Sequence, residues 1–116
     1  MSNTRTIIVV AASFMFVHLA GAHAFLDHAD PKVGSTVHEP PAKVTVWMTE
    51  NLEPAFSKLQ VFDAKRVEVD EKDTKVSGAT MTVSLPKLPA GTYRVSWQAV
   101  ATDTHRTSGT FDFTIE

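Results

Sequence analysis

The sequence predicts an all-β domain, a Greek-key β-sandwich or barrel of about seven strands. Two features of the sequence support this class. Apolar residues alternate with polar ones in five separate runs, which is the period of a half-buried strand. Proline and glycine residues separate these runs at short intervals, and no ten-residue stretch has the apolar periodicity of a helix. Short strands at regular spacing in a chain of 116 residues are typical of such sandwiches.

Each run places its apolar residues two positions apart, so that they share one face of a strand. These apolar positions are Val44, Val46 and Met48; Leu59 and Val61; Met81, Val83 and Leu85; Tyr93, Val95, Trp97 and Ala99; and Phe111, Phe113 and Ile115. We interpret the five faces as the core of the domain. We expect both tryptophans, Trp47 and Trp97, to serve mainly in packing.

Turn-forming residues connect the runs: Asp30-Pro31, Pro40-Pro41, Glu53-Pro54, Ser77-Gly78 and Pro89-Ala90-Gly91. The segment from Asp63 to Lys75 differs from the rest, because it is charged and nearly lacks large apolar residues. We expect this segment to form an exposed loop or a weak edge strand.

The first 22 residues have the pattern of a secretory signal peptide. Arg5 supplies the positive charge, Ile7 to Leu19 form a mostly apolar segment, and Ala20-Gly21-Ala22 is a small-residue cleavage site. An uncleaved anchor is the alternative, but the apolar segment is shorter than the ~20 residues that a membrane span needs. We therefore predict a cleaved leader over residues 1–22 and one domain over residues 23–116.

Composition excludes several classes of chemistry. The chain has no cysteine, which excludes disulfides, thiolate metal sites and cysteine nucleophiles. Loss of Arg5 with the leader changes the formal net charge from −2 to −3, and the longest basic run is the Lys65-Arg66 pair. We expect no nucleic-acid partner, because such proteins carry basic patches.

Two segments carry residues suited to a metal. Cleavage after Ala22 would place His23 at the amino terminus, where its α-amine and imidazole can chelate one metal ion. Asp103 and His105 follow the fourth run, and in extended backbone their side chains would project to the same face. The alternative is an unremarkable chain end together with a turn in which Asp103 hydrogen-bonds to its own backbone.

A site with three nitrogens, one oxygen and no sulfur favours Cu(II), ahead of zinc and nickel. The mature chain would keep only Met48 and Met81, in separate strands and at inward positions, which leaves no methionine cluster for Cu(I). By strand alternation, His28 would face away from His23. We expect His28 and His38 to be solvated or capping histidines.

The mature chain resembles the CopC copper-resistance family of periplasmic copper-binding proteins. The resemblance rests on His23, Pro31-x-x-Gly34-Ser35, Pro41-Ala42-Lys43-Val44, Thr49-Glu50-Asn51-Leu52-Glu53, the strand from Ala90 to Val100, and Asp103-Thr104-His105 followed by Gly109. It implies an immunoglobulin-like or cupredoxin-like fold of seven strands. It also implies Cu(II) ligands at His23, Asp103 and His105, with Glu50 as a further ligand or a carboxylate beside one.

Some members of that family have a second, Cu(I) site in a methionine-rich loop. The matching region, Phe62 to Asp70, contains no methionine, so this chain resembles the members with a single Cu(II) site. The resemblance implies a periplasmic, monomeric copper carrier or buffer, not an enzyme. Its partner would be an inner-membrane copper transporter or a copper enzyme.

The residues are also compatible with two other functions. One is a copper-dependent oxidative enzyme of the histidine-brace type, for which a chain of this size with one tyrosine offers little room for a substrate platform. The other is a metal-free immunoglobulin-like interaction module, for which the sandwich alone would suffice.

Overall fold

The computed structural model describes residues 24–116, so the leader predicted over residues 1–22 and His23 lie outside the described residues. Eight strands occur between residues 24 and 116, together with a short 3-10 helix at Pro54–Phe56. The strands are β1 (Leu26–Asp30), β2 (Thr36–Val37), β3 (Lys43–Met48), β4 (Lys58–Phe62), β5 (Lys75–Ser77), β6 (Thr80–Ser84), β7 (Gly91–Val100) and β8 (Arg106–Ile115). Within this range no helix is long and apolar enough to cross a membrane.

The strands form two four-stranded sheets, with the orders β1-β3-β6-β5 and β2-β8-β7-β4. All pairs are antiparallel except the short parallel pair β2–β8. The inner faces of the two sheets enclose one core, which includes the fully buried Val46, Met81 and Phe113. The predicted β-sandwich is confirmed, because all five apolar runs coincide with strands and their alternate residues are buried.

β8 begins at Arg106, five residues before the apolar run that identified it. Its first half, Arg106 to Thr110, contains no large apolar residue and gives no hydrophobic signal, but it pairs residue by residue with β7. β1 and β2 were not predicted either. β2 is two residues long, and β1 contains a register shift between Leu26 and His28 that breaks the alternation of its side chains.

The charged segment from Asp63 to Lys75 is mostly loop, as predicted, and ends in the edge strand β5. Its Asp70 is nevertheless buried. The Asp70 carboxylate accepts hydrogen bonds from the backbone N–H of Val61 (2.8 Å) and of Lys72 (2.9 Å). The loop is therefore fastened to β4 by a residue that its charge alone would place in solvent.

Gly109 is required by a close approach of an aromatic ring. It pairs with Trp97 across the β7–β8 ladder, and a Cβ atom at position 109 would lie 2.6 Å from the indole ring. Trp97 is buried, so the ring has little room to move away. We expect Gly109→Ala to destabilise the copper-free protein by about 1–3 kcal/mol through overpacking. Urea unfolding measures this change.

Ser108→Ala is the matched control for this experiment, because Ser108 is the exposed neighbour of Gly109 on the same strand. Its unfolding free energy should stay within about 0.5 kcal/mol of the parent. Equal stability of the Gly109→Ala variant and the parent would contradict the close packing of Trp97 on Gly109.

Candidate metal centre

The predicted pair Asp103 and His105 lies in the loop that joins β7 to β8. Ala101 N–H donates to the His105 carbonyl (3.0 Å), and Thr104 N–H donates to the Ala101 carbonyl (2.7 Å). Thr104 has a φ of 75°, a left-handed conformation that reverses the chain. The backbone here is therefore a tight turn. We predicted extended backbone between Asp103 and His105 from the sequence, and that prediction was wrong.

The two side chains nevertheless meet. His105 Nδ1 lies 3.2 Å from Asp103 Oδ2, and His105 N–H donates to Asp103 Oδ1 at 3.1 Å. The expected turn in which Asp103 bonds to local backbone is thus present together with the side-chain contact. In the neutral tautomer with a proton on Nδ1, the ring donates to Asp103 and keeps a free lone pair on Nε2. A neutral imidazole with a free lone pair can bind a metal.

The first described residues lie beside the start of β8. Ala24 is fully buried, and its carbonyl accepts a hydrogen bond from Thr107 Oγ1 at 2.5 Å. Phe25 N–H donates to Thr49 Oγ1, and Thr49 N–H donates to the Phe25 carbonyl, both at 2.8 Å. The amino-terminal segment is therefore held between the end of β3 and the beginning of β8.

Glu50 directly follows Thr49 and is exposed. Beyond it, the Asn51 carbonyl accepts a hydrogen bond from Thr102 N–H at 3.1 Å, and Leu52 forms a β-bridge with Ala101. Three segments that are distant in sequence, namely residues 24–25, 49–52 and 101–107, are thereby joined at one end of the sandwich.

The residues at this end fit a nitrogen- and oxygen-liganded metal ion, because imidazole and carboxylate are the ligands that copper and zinc accept without sulfur. Within residues 24–116, however, no three histidine, aspartate or glutamate side chains group closely enough to hold a metal ion. Asp103 and His105 are thus a pair of candidate ligands with no third such side chain grouped with them among the described residues. Glu50 is not part of the pair, and His23 lies outside the described residues.

His28 and His38 lie in other environments. The register shift in β1 places His28 on the exposed side, where its ring stacks on Trp47 with centroids 4.3 Å apart and Nδ1 lies 2.6 Å from Asp27 Oδ2. Strand alternation had placed His28 on the same side as Leu26, and the bulge explains the difference. His38 Nδ1 lies 2.5 Å from Glu116 Oε1 at the carboxyl end of the chain.

Comparison with known proteins gives a consistent result. The CopC domain family matches residues 26–116. Copper resistance protein C of Pseudomonas syringae pv. tomato is 30% identical, over 100% of this chain and 98% of that protein. Copper transport protein CutJ of Bacillus subtilis is 31% identical over 99% of this chain, but the chain spans only 22% of CutJ.

Two solved structures are also similar. The crystal structure of CopC from Methylosinus trichosporium OB3b superposes with a TM-score of 0.77 and 27% identity, covering 81% of this chain and 94% of that one. The crystal structure of PcoC from Escherichia coli, described as a methionine-rich copper resistance protein, has a TM-score of 0.70 and 32% identity. It covers 82% of this chain and 100% of that one.

Proposed function

Because this chain belongs to the CopC family of copper resistance and transport proteins, we propose that it is a periplasmic carrier or buffer that binds one Cu(II) ion. The observation that carries this proposal is the contact between Asp103 and His105 at the end of the sandwich to which Ala24 is fixed. Copper is the cargo of the protein in this proposal, and the chain supplies the ligands that hold and release it.

The proposed ligands are the α-amine and imidazole of His23, together with Asp103 and His105. Two facts support the inclusion of His23. The first is that one peptide unit joins His23 to Ala24, and consecutive Cα atoms are about 3.8 Å apart. The second is that the Ala24 carbonyl accepts a hydrogen bond from Thr107, which lies two residues along the chain from His105.

Glu50 is proposed as a carboxylate close to this centre, either as a ligand or as a hydrogen-bond partner of one. Its neighbour Thr49 is bonded to Phe25, and the next residues are bonded to the β7–β8 loop. A negative charge here would favour a bound cation in either role.

We propose a single Cu(II) site with no separate Cu(I) site. Cu(I) prefers thioether or thiolate ligands. Met48 and Met81 are both buried in the core, and the loop from Asp63 to Asp70 contains no methionine. In this respect the chain differs from the E. coli relative that is described as methionine-rich.

A membrane copper transporter is the proposed partner. The match to CutJ supports this, because a domain of this kind occupies 22% of a longer chain that is named as a copper transport protein.

Analysis of the secreted protein tests the proposal. Intact mass should identify His23 as the first residue, and titration with Cu(II) should show one equivalent with a nitrogen-rich spectrum in electron paramagnetic resonance. Binding of no copper, or a spectrum without nitrogen ligands, would contradict it. Copper-dependent peroxide formation with ascorbate, together with glycan cleavage, would instead indicate an oxidative enzyme.

A further inference from the structure

We infer that Thr107 is a positioning residue for the proposed copper site, and that its hydroxyl holds the amino terminus at the place where His23 can bind the metal. This inference rests on the proposed function. It assigns a role to a residue that lies outside the ligand set and that no motif in the sequence identifies.

The contact between Thr107 and Ala24 is short and joins residues that are distant in the sequence. Thr107 Oγ1 donates to the Ala24 carbonyl at 2.5 Å, across a separation of 83 residues. The Ala24 side chain is fully buried in the core. The segment is thus fixed both by a hydrogen bond and by burial of a methyl group, immediately after the residue that would carry the amine.

A second contact fixes the next residue from the opposite side. Phe25 exchanges two hydrogen bonds with Thr49, which follows β3 of the first sheet, whereas Thr107 belongs to β8 of the second sheet. Residues 24 and 25 are therefore tied to both sheets. Residues 24 and 25 are thus already ordered before copper arrives, so copper binding does not have to offset the conformational entropy of ordering them.

Thr107 also links this segment to the second ligand pair. It lies two residues along the chain from His105, so the same short stretch of backbone sets the position of the imidazole and of the Ala24 carbonyl. Small changes in geometry at a metal site reduce affinity strongly, because the ligands must converge on one point. The hydroxyl would thus fix the distance between the two halves of the site.

The test compares Thr107→Val with Thr107→Ser in the secreted protein, using Cu(II) affinity measured by competition with a chelator. Valine has nearly the shape of threonine but cannot donate, and we expect affinity to fall about tenfold, which is 1.4 kcal/mol. Serine keeps the hydroxyl and should restore the parent affinity. Thr114→Val is the matched control, because it removes a hydroxyl from the same strand. That hydroxyl contacts Thr92 Oγ1 at 3.2 Å and not the amino-terminal segment.

A second measurement separates positioning from general stabilisation. Amide hydrogen exchange of Phe25 in the copper-free protein should become faster in Thr107→Val and stay unchanged in Thr114→Val. The valine substitution is also made in a protein with one extra residue ahead of His23, where the terminal chelate is absent. There it should cause no further loss of affinity.

The outcomes are distinct. If the added residue alone leaves affinity unchanged, the proposed function fails. If the added residue weakens binding but Thr107→Val binds as tightly as the parent, the positioning role is overturned. An equal loss from Thr107→Val with and without the added residue would also overturn it, because the effect would then be independent of the terminus.

Discussion

One alanine added ahead of His23 is expected to weaken Cu(II) binding by orders of magnitude. The added residue converts the α-amine into a peptide nitrogen, which can bind Cu(II) only after it loses its proton. The chelate ring formed by the amine and imidazole of one residue is lost, while the imidazole is retained. Chelator competition at constant pH measures the change.

The control uses the same polypeptide. If the added residue is removed by an aminopeptidase, the parent affinity should return, which excludes damage during purification. The unfolding temperature of the copper-free protein should not change, since the added residue leaves the contacts of Ala24 and Phe25 in place. Equal affinity of the extended and parent proteins would show that the amine is not a ligand.

In this proposal, cleavage of the leader also frees the α-amine that binds copper. An uncleaved chain would carry residues 1–22 ahead of His23 and would resemble the extended variant, with its α-amine far from the site. Tight copper binding would then begin only after cleavage, and therefore after export. A protein that could bind copper tightly in the cytoplasm would compete with the metalloproteins made there.

The parts of the fold that depend on alternating burial could be predicted from the sequence. Val44, Val46 and Met48 identify β3 because each contributes a large side chain to the core. β1 was not predictable in the same way, because a bulge between Leu26 and His28 changes which side chains face inward. The burial of Asp70 was missed because its role comes from two backbone N–H groups, one of them in β4.

The candidate centre was predictable where its residues are close in sequence. Asp103 and His105 were singled out by their spacing, although a left-handed residue at Thr104 brings them together instead of an extended strand. The contact between Thr107 and Ala24 could not be foreseen, because no local pattern relates residues 83 positions apart. The assignment of His23 as a ligand stays a prediction.

Replacing His105 with alanine is expected to have the other largest effect on Cu(II) affinity. The variant would lose the one proposed nitrogen ligand outside residue 23, and Asp103 would lose the ring that its carboxylate contacts at 3.2 Å. Because a nitrogen-rich donor set is what favours Cu(II), we expect a loss of orders of magnitude and a spectrum with fewer nitrogen ligands. Chelator competition and electron paramagnetic resonance measure the two changes.

His28→Ala is the matched control, because His28 also pairs with a neighbouring aspartate, at 2.6 Å from Asp27, but stacks on Trp47. The side chains of the two histidines are similarly exposed, 53% for His105 and 58% for His28. If any exposed imidazole could supply the copper ligand, the two substitutions would therefore weaken binding equally. Parent affinity in His28→Ala together with a large loss in His105→Ala would locate the site at the β7–β8 loop. The reverse result would move it to β1 and contradict the proposed ligand set.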